Sequence, residues 1–221
     1  MKNAWKLFAL LGLSMIVFNS CDNEDECFKI WQVAPGASGV IVEIDLTNKE
    51  LSMQGLDFGG FGAEIFQSYF TGDFEAIATF KNFAAGSGGG RPYAEMVMYN
   101  PEIPDTILDT TAVFAGITRN QIFSGIGVNW YSAKNTLGNN GVFKIKKFGN
   151  NLSSTVIVGV DTATVSQYYS VSPIRFGFRI GTFNDSIVQG ISGIKFTKFQ
   201  VIGSNNATLL GDEFICNSIM P

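Results

Sequence analysis

Apolar and polar residues alternate with a period of two through most of the chain. In Pro173 to Phe183, Ile174, Phe176, Phe178 and Ile180 fall on one side, and Arg175, Gly177, Arg179 and Gly181 on the other. Asp73 to Phe80 repeats the pattern, with Phe74, Ala76, Ala78 and Phe80 opposed to Glu75, Ile77 and Thr79. Ala94, Met96 and Met98 alternate with Glu95, Val97 and Tyr99, and Val156, Val158 and Val160 share a side. Such alternation marks half-buried β-strands, because successive side chains of a strand point to opposite faces. Gln121 to Tyr131 reads as one long strand with Ile122, Ile126, Val128 and Trp130 inward and Gln121, Gly125, Gly127, Asn129 and Tyr131 outward. From Ile194 to Val201 the phase slips after Phe196 and resumes at Phe199, which predicts a β-bulge near Thr197-Lys198. Asn139-Asn140-Gly141 and Gly149-Asn150-Asn151 flank the run Val142 to Phe148, and Asn-Gly between alternating segments is a hairpin signal. No segment shows the apolar period of an amphipathic helix longer than two turns. The prediction is an all-β chain.

Composition sharpens this. The 221 residues include 25 Gly and 20 Phe but only 6 Pro, which suits many strands, tight turns and an aromatic core. There is no histidine, so Ser-His-Asp and Cys-His catalysis and histidine metal sites are excluded. The net charge is −4. Without residues 1–20, which carry Lys2 and Lys6, 13 basic groups face 19 acidic ones and the charge is −6. An acidic chain lacks the basic footprint of a nucleic-acid binder. The glycine-rich stretch Gly86 to Gly90 leads into Arg91-Pro92 and a strand. A phosphate-binding loop needs a Lys, a Ser/Thr and a helix there, so this is a plain loop.

At the N-terminus, Lys2 and Lys6 precede an apolar run from Leu7 to Phe18, which is shorter than the ~20 residues of a membrane-spanning helix. Asn19-Ser20-Cys21 and the acidic cluster Asp22 to Glu26 follow. This resembles a lipoprotein signal of the Bacteroidetes type, in which Cys21 is lipidated and the acidic cluster directs export to the cell surface. The expected organisation is a signal peptide at 1–20, an acidic tether at 21–27 and a single β-sandwich at 28–221. The expected location is the outer membrane, with a lipid anchor as the only membrane contact. With Cys21 lipidated, Cys27 and Cys216 remain as a disulfide pair for an oxidising compartment.

The segment Gly72-Asp73-Phe74-Glu75-Ala76-Ile77-Ala78-Thr79-Phe80, a loop, and then Ala94-Glu95-Met96-Val97-Met98-Tyr99 resembles the central strands of concanavalin A-like lectin/glucanase (laminin G-like) domains. The later strands fit the same order. The resemblance implies a two-sheet antiparallel jelly roll with a carbohydrate-binding concave face. Laminarinase-like enzymes of this fold carry Glu-x-Asp-x-x-Glu on one strand. Here Glu43-Ile44-Asp45-Leu46-Thr47-Asn48 ends in Asn where the acid/base should stand. An edge strand with a solvated acidic face accounts for it.

The outward phase of the strands supplies the candidate site. Glu75, Glu95, Tyr99, Asn129, Tyr131, Arg175 and Arg179 are expected to line one face, where aromatic rings stack on sugar rings and planar polar groups bond to hydroxyls. Interior glycines on these strands suggest close approach of a ligand. Trp130 falls on the core side in this register. Loop carboxylates at Asp57, Asp105, Asp109 and Asp185 could ligate calcium; no other cofactor is expected. The leading expectation is non-catalytic glycan or polysaccharide binding. The alternatives are a glycoside hydrolase or lyase with a degenerate motif, which Glu75 and Glu95 converging within ~5–9 Å would favour, and an adhesion lipoprotein with a protein partner.

Overall fold

The computed structural model describes residues 31–34, 40–56, 61–70, 72–87, 91–100, 112–135, 138–170, 174–183, 189–206, 208–217 and 219–220; for 61–70 the backbone alone is described. The signal and tether (1–27), with Cys21 and Cys27, and the aspartates Asp57, Asp105, Asp109 and Asp185 lie outside these residues. The described residues form strands and turns, with no helix.

Two sheets stack face to face. The front sheet runs β16 (Ile219–Met220), β1 (Trp31–Ala34), β4 (Phe61–Phe70), β13 (Ile174–Thr182), β6 (Pro92–Tyr99), β7 (Val113–Thr118), β8 (Gln121–Ile126) and β9 (Asn129–Lys134). The back sheet runs β12 (Asp161–Tyr168), β11 (Asn151–Val158), β10 (Gly141–Phe148), β5 (Phe74–Ala84), β14 (Ile191–Gly203), β3 (Glu50–Leu56) and β2 (Val40–Asp45), and β15 (Thr208–Asp212) pairs with β14. Every pairing is antiparallel except that of β1 with the short β16. This is the expected all-β, two-sheet jelly roll.

The inward phases meet between the sheets. Phe178 of β13 stacks on Phe196 of β14 with centroids 3.8 Å apart, and Phe176 meets Phe74 of β5 edge-on at 5.2 Å. Each such pair contributes about 0.5–1.5 kcal/mol beyond the area it buries. Trp31 is fully buried against Phe178 and Phe199. Its indole Nε1 donates to Asp212 Oδ2 at 2.7 Å, and the other carboxylate oxygen accepts from the Phe214 amide at 2.7 Å. This satisfies a buried carboxylate and an indole N–H together, and it ties the first described strand to the C-terminal segment. Cys216 is the only described cysteine, so the expected pairing with Cys27 falls outside the described residues.

The bulge is where the phase slip put it. β14 shifts register against β5 between Phe196 and Lys198, leaving Thr197 unpaired. Gly149-Asn150 closes the β10–β11 hairpin, and Gly159-Val160 closes the hairpin into β12. Asn139-Asn140-Gly141 is not a hairpin turn: it leads from β9 of the front sheet to β10 of the back sheet. The expected long strand Gln121 to Tyr131 is two strands, folded at Gly127-Val128. The fold inverts the phase beyond the turn, with consequences for the site.

Candidate binding face on the front sheet

β6 and β13 lie side by side, with Arg179 opposite Glu95 and Arg175 opposite Tyr99. Directly opposed residues share a face, so Glu95, Tyr99, Arg175 and Arg179 are brought together on the outer face of the front sheet, as expected. Arg179 Nη1 lies 3.4 Å from Glu95 Oε1, and Glu95 is only 6% exposed. A carboxylate this sheltered requires a cation, and the next strand supplies it in register.

The other expected residues are elsewhere. Glu75 lies on β5 in the back sheet, on its outer face, where it pairs with Lys144 at 3.2 Å. Glu75 and Glu95 therefore sit on opposite sides of the core and cannot converge on one bond. Asn129 and Tyr131 stand opposite Ile126 and Ser124, which places them on the inward side of β9. Asn129 Nδ2 donates to Gln167 Oε1 of β12 at 2.7 Å, and Gln167 Nε2 donates to the Ile126 carbonyl at 3.2 Å. These bonds pin the β8–β9 hairpin onto the back sheet, so Asn129 joins the sheets at their edge. Trp130, opposite Gly125, is on the outer face and 65% exposed, the reverse of the core position expected for it.

That outer face carries an aromatic floor that the alternation did not predict. Phe114 stands opposite Gly125, and Phe123 opposite Gly116. A Cβ on Gly116 would lie 2.2 Å from the Phe123 ring, and one on Gly125 would lie 2.1 Å from the Phe114 ring. Each phenyl ring thus lies flat on the glycine across from it. These glycines are covered by neighbouring rings rather than kept bare for a ligand. Tyr93 and Phe183 complete the cluster, with centroids 4.7 Å apart and Phe183 at 5.4 Å from Phe123. Phe123 is 4% exposed, although it points away from the core.

At the end of this floor is a cavity of 420 Å³ lined by Arg91, Phe114, Thr118, Gln121, Phe123, Trp130 and Phe183. A second cavity of 320 Å³ shares Arg91, Thr118 and Gln121 with it and adds Gly86, Pro92, Arg119 and Asn120. The two form one cleft with an aromatic half and a polar half. Its polar wall is held by hydrogen bonds. Thr118 Oγ1 accepts from the amides of Gln121 and Asn120 at 3.0 and 3.3 Å. Arg119 Nη2 donates to the carbonyls of Ala85 and Gly86 at 2.6 and 2.9 Å, which straps the loop after β5 to the β7–β8 turn. Gly86 in turn donates its amide to Ser192 Oγ at 2.8 Å. Gln121 is outward, as its strand phase predicts, whereas Arg91, Phe123 and Trp130 are site residues that sequence reasoning missed. For Phe123 the signal was an aromatic at an outward position facing a glycine on the adjoining strand.

The acidic segment Glu43 to Asn48 behaves as the edge strand expected. β2 is the last strand of the back sheet, and Asp45 accepts from the amides of Thr47 and Asn48 at 3.0 and 3.1 Å and from Asn48 Nδ2 at 2.7 Å. The Asn48 side chain, and then its amide, hold the Asp45 carboxyl below its ordinary value. Among the described residues no three acidic or cysteine side chains gather as metal ligands.

Comparison with known proteins supports the architecture. No protein-family model matches the chain, and no curated protein matches it in sequence. Solved structures do match. An alginate lyase of polysaccharide lyase family 7 superposes with a TM-score of 0.57 at 10% identity, covering 80% of this chain and 95% of its own. An alginate lyase from Corynebacterium sp. gives 0.57 at 9% identity over 80% and 95%. A legume lectin-like domain from Entamoeba histolytica gives 0.51 at 12% identity over 79% and 90%. At such identities the likeness is one of fold: the chain is a concanavalin A-like jelly-roll sandwich.

Proposed function

We propose that this protein is a lipid-anchored surface lipoprotein that binds carbohydrate, without catalysis, in the cleft on the outer face of its front sheet. The observation that carries the binding reading is Trp130, a largely exposed indole beside Arg91 and Gln121 over an aromatic floor. An aromatic face offers stacking to the C–H side of a sugar ring, while a guanidinium and an amide bond to its hydroxyls or carboxylate. Neighbours of this fold include two alginate lyases and a lectin-like domain, so carbohydrate is the ligand class with the most support. Hydrolysis by a Glu75–Glu95 pair is ruled out by their separation into different sheets. Anchoring through Cys21, exposure at the cell surface and the Cys27–Cys216 pairing belong to the same reading and rest on the sequence.

The test is a glycan and polysaccharide array probed with wild-type protein and with Trp130→Ala, each in the presence and absence of calcium. The account expects binding that falls at least about tenfold in Trp130→Ala with folding intact. Binding to no glycan, or binding indifferent to Trp130, would refute the assignment of this cleft. Palmitate labelling of cells making wild-type protein but not Cys21→Ala would support the anchor, and equal labelling of both would remove it.

A further inference from the structure

The outer face of the back sheet carries a second set of exposed rings. Phe148 ends β10, Asn151 begins β11 and Tyr168 ends β12, and the strand register aligns them as one row: Phe148 opposite Asn151, and Asn151 opposite Tyr168. Phe148 is 66% exposed and Tyr168 69%. With neighbouring strands ~4.8 Å apart, the backbones that carry the two rings lie about 10 Å from each other, with Asn151 between them. The next rows along the same face are Lys146–Ser153–Ser166 and Lys144–Thr155–Thr164. The apolar surface is therefore broken into separate rings among hydroxyls and ammonium groups. A protein interface core favours contiguous apolar contact. Separate rings flanked by hydrogen-bonding groups match a sugar chain instead, whose apolar ring faces alternate with hydroxyls.

Beside Phe148 the row opens into a cavity of 210 Å³ lined by Asp73, Glu75, Lys146, Phe148, Ser204 and Asn206, among others. Its rim is fixed. Asp73 Oδ1 accepts from the Gly149 amide at 2.8 Å, and Lys147 Nζ donates to the Gly72 carbonyl at 3.5 Å, which together hold the β10–β11 turn that presents Phe148. Glu75, held by Lys144, is an acceptor on one wall, and the exposed Lys146 is a donor on another.

We propose that this cavity and the Phe148–Asn151–Tyr168 row form a second carbohydrate site, in which a glycan chain lies across β10, β11 and β12 with its end in the cavity. Tyr168 and Phe148 stack on its rings, Asn151 bonds between them, and Glu75 and Lys146 bond to the terminal hydroxyls. This site is on the opposite sheet from the cleft at Trp130. One molecule then holds two glycan chains on its two faces, and the second contact adds avidity without any change in either site.

The test is native affinity electrophoresis of the full chain through gels containing alginate, laminarin or hydroxyethylcellulose. Four proteins are compared with wild type: Trp130→Ala, Phe148→Ala/Tyr168→Ala, the triple variant, and Tyr168→Phe, which keeps the ring. Both rings are exposed, so melting temperatures should stay at the wild-type value, and this is checked for each variant. Trp130→Ala is expected to retain part of the retardation in at least one gel, and the triple variant to lose about tenfold or more of what remains. Tyr168→Phe should migrate as wild type. The proposal is overturned if Trp130→Ala removes all retardation, if the triple variant is retarded as strongly as Trp130→Ala, or if no gel retards wild type. The two sites fail separately. Retardation unchanged by Trp130→Ala but lost in Phe148→Ala/Tyr168→Ala would remove the front-sheet reading and leave this one standing.

Discussion

On the outer face of the front sheet, Val97 is 1% exposed and Phe123 4%, as sheltered as residues of the core. On the outer face of the back sheet, Ile41 of β2 is exposed, and the rows across β10, β11 and β12 are Lys146–Ser153–Ser166 and Lys144–Thr155–Thr164. Both faces come from the same inside–outside alternation. The difference lies in what the outward positions hold. In front, Phe114 and Phe123 each face a Gly on the adjacent strand and cover it, building a second apolar layer. Behind, β-branched and charged residues stand upright and pair across strands, as Thr155 and Thr164 do at 3.1 Å. An outward position in a sandwich is therefore not a solvent position by default. What faces it across the strand decides.

The largest effect that could break this contrast is at Phe123. Phe123→Ala should cost about 3–5 kcal/mol, the range for a core phenylalanine, and denaturant unfolding will read it directly. A loss under about 1 kcal/mol would mean the aromatic floor is only decoration. The exception on the back face, Glu50, comes next. It is buried and bonded to Lys81 and, at 3.2 Å, to Lys195. Burial alone would raise its pKa, but the bonds to the two lysines outweigh it and hold the carboxyl below its ordinary 4.5. A depressed carboxylate contributes stability above its unfolded value and loses it as pH falls through the folded one. Glu50→Gln should therefore cost about 1.5–3 kcal/mol at pH 7, and the gap to wild type should close as melting is followed from pH 5 down to pH 2. A gap that is constant with pH would remove the ion pairs as its source.

Gly125→Val tests the glycine–aromatic pairing itself. Its side chain would collide with the Phe114 ring, and a cost of about 1–3 kcal/mol is expected; pairing it with Phe114→Ala should recover part of that cost. At the small end, Thr155→Val on the open back face should move stability by no more than about 0.5 kcal/mol. A larger change there would erase the distinction between the two faces.

The strands were legible where their residues leave one phase open. Ile174 to Ile180 gave β13 with its faces correctly assigned, and the slip after Phe196 located the bulge of β14. Gln121 to Tyr131 misled because Ile126, Val128 and Trp130 keep an even spacing through the Gly127-Val128 turn. A two-residue turn preserves spacing along the chain while reversing its direction, so Trp130 and Tyr131 exchanged faces. β12, Asp161-Thr-Ala-Thr-Val-Ser-Gln-Tyr168, passed unnoticed because an edge strand needs little apolar surface; Ala163 is its one fully buried residue. Glu95, Tyr99, Arg175 and Arg179 were grouped correctly because neighbouring strands share their alternation. Glu75 was grouped wrongly because alternation gives a side of a strand, never the sheet to which the strand belongs. Sheet membership is decided by long-range pairing, here of β5 with β10 and β14.

The central claim is that the front-sheet cleft binds sugar through Trp130. The most direct test follows the emission of the protein during titration with a polysaccharide that it retains, alongside Trp130→Phe. Trp31 is fully buried, so among the described residues Trp130 is the indole that a ligand can reach. The account predicts a saturable blue shift in wild type as the ring leaves water, and none in Trp130→Phe. Saturable binding measured independently, with wild-type emission unchanged throughout, would contradict it.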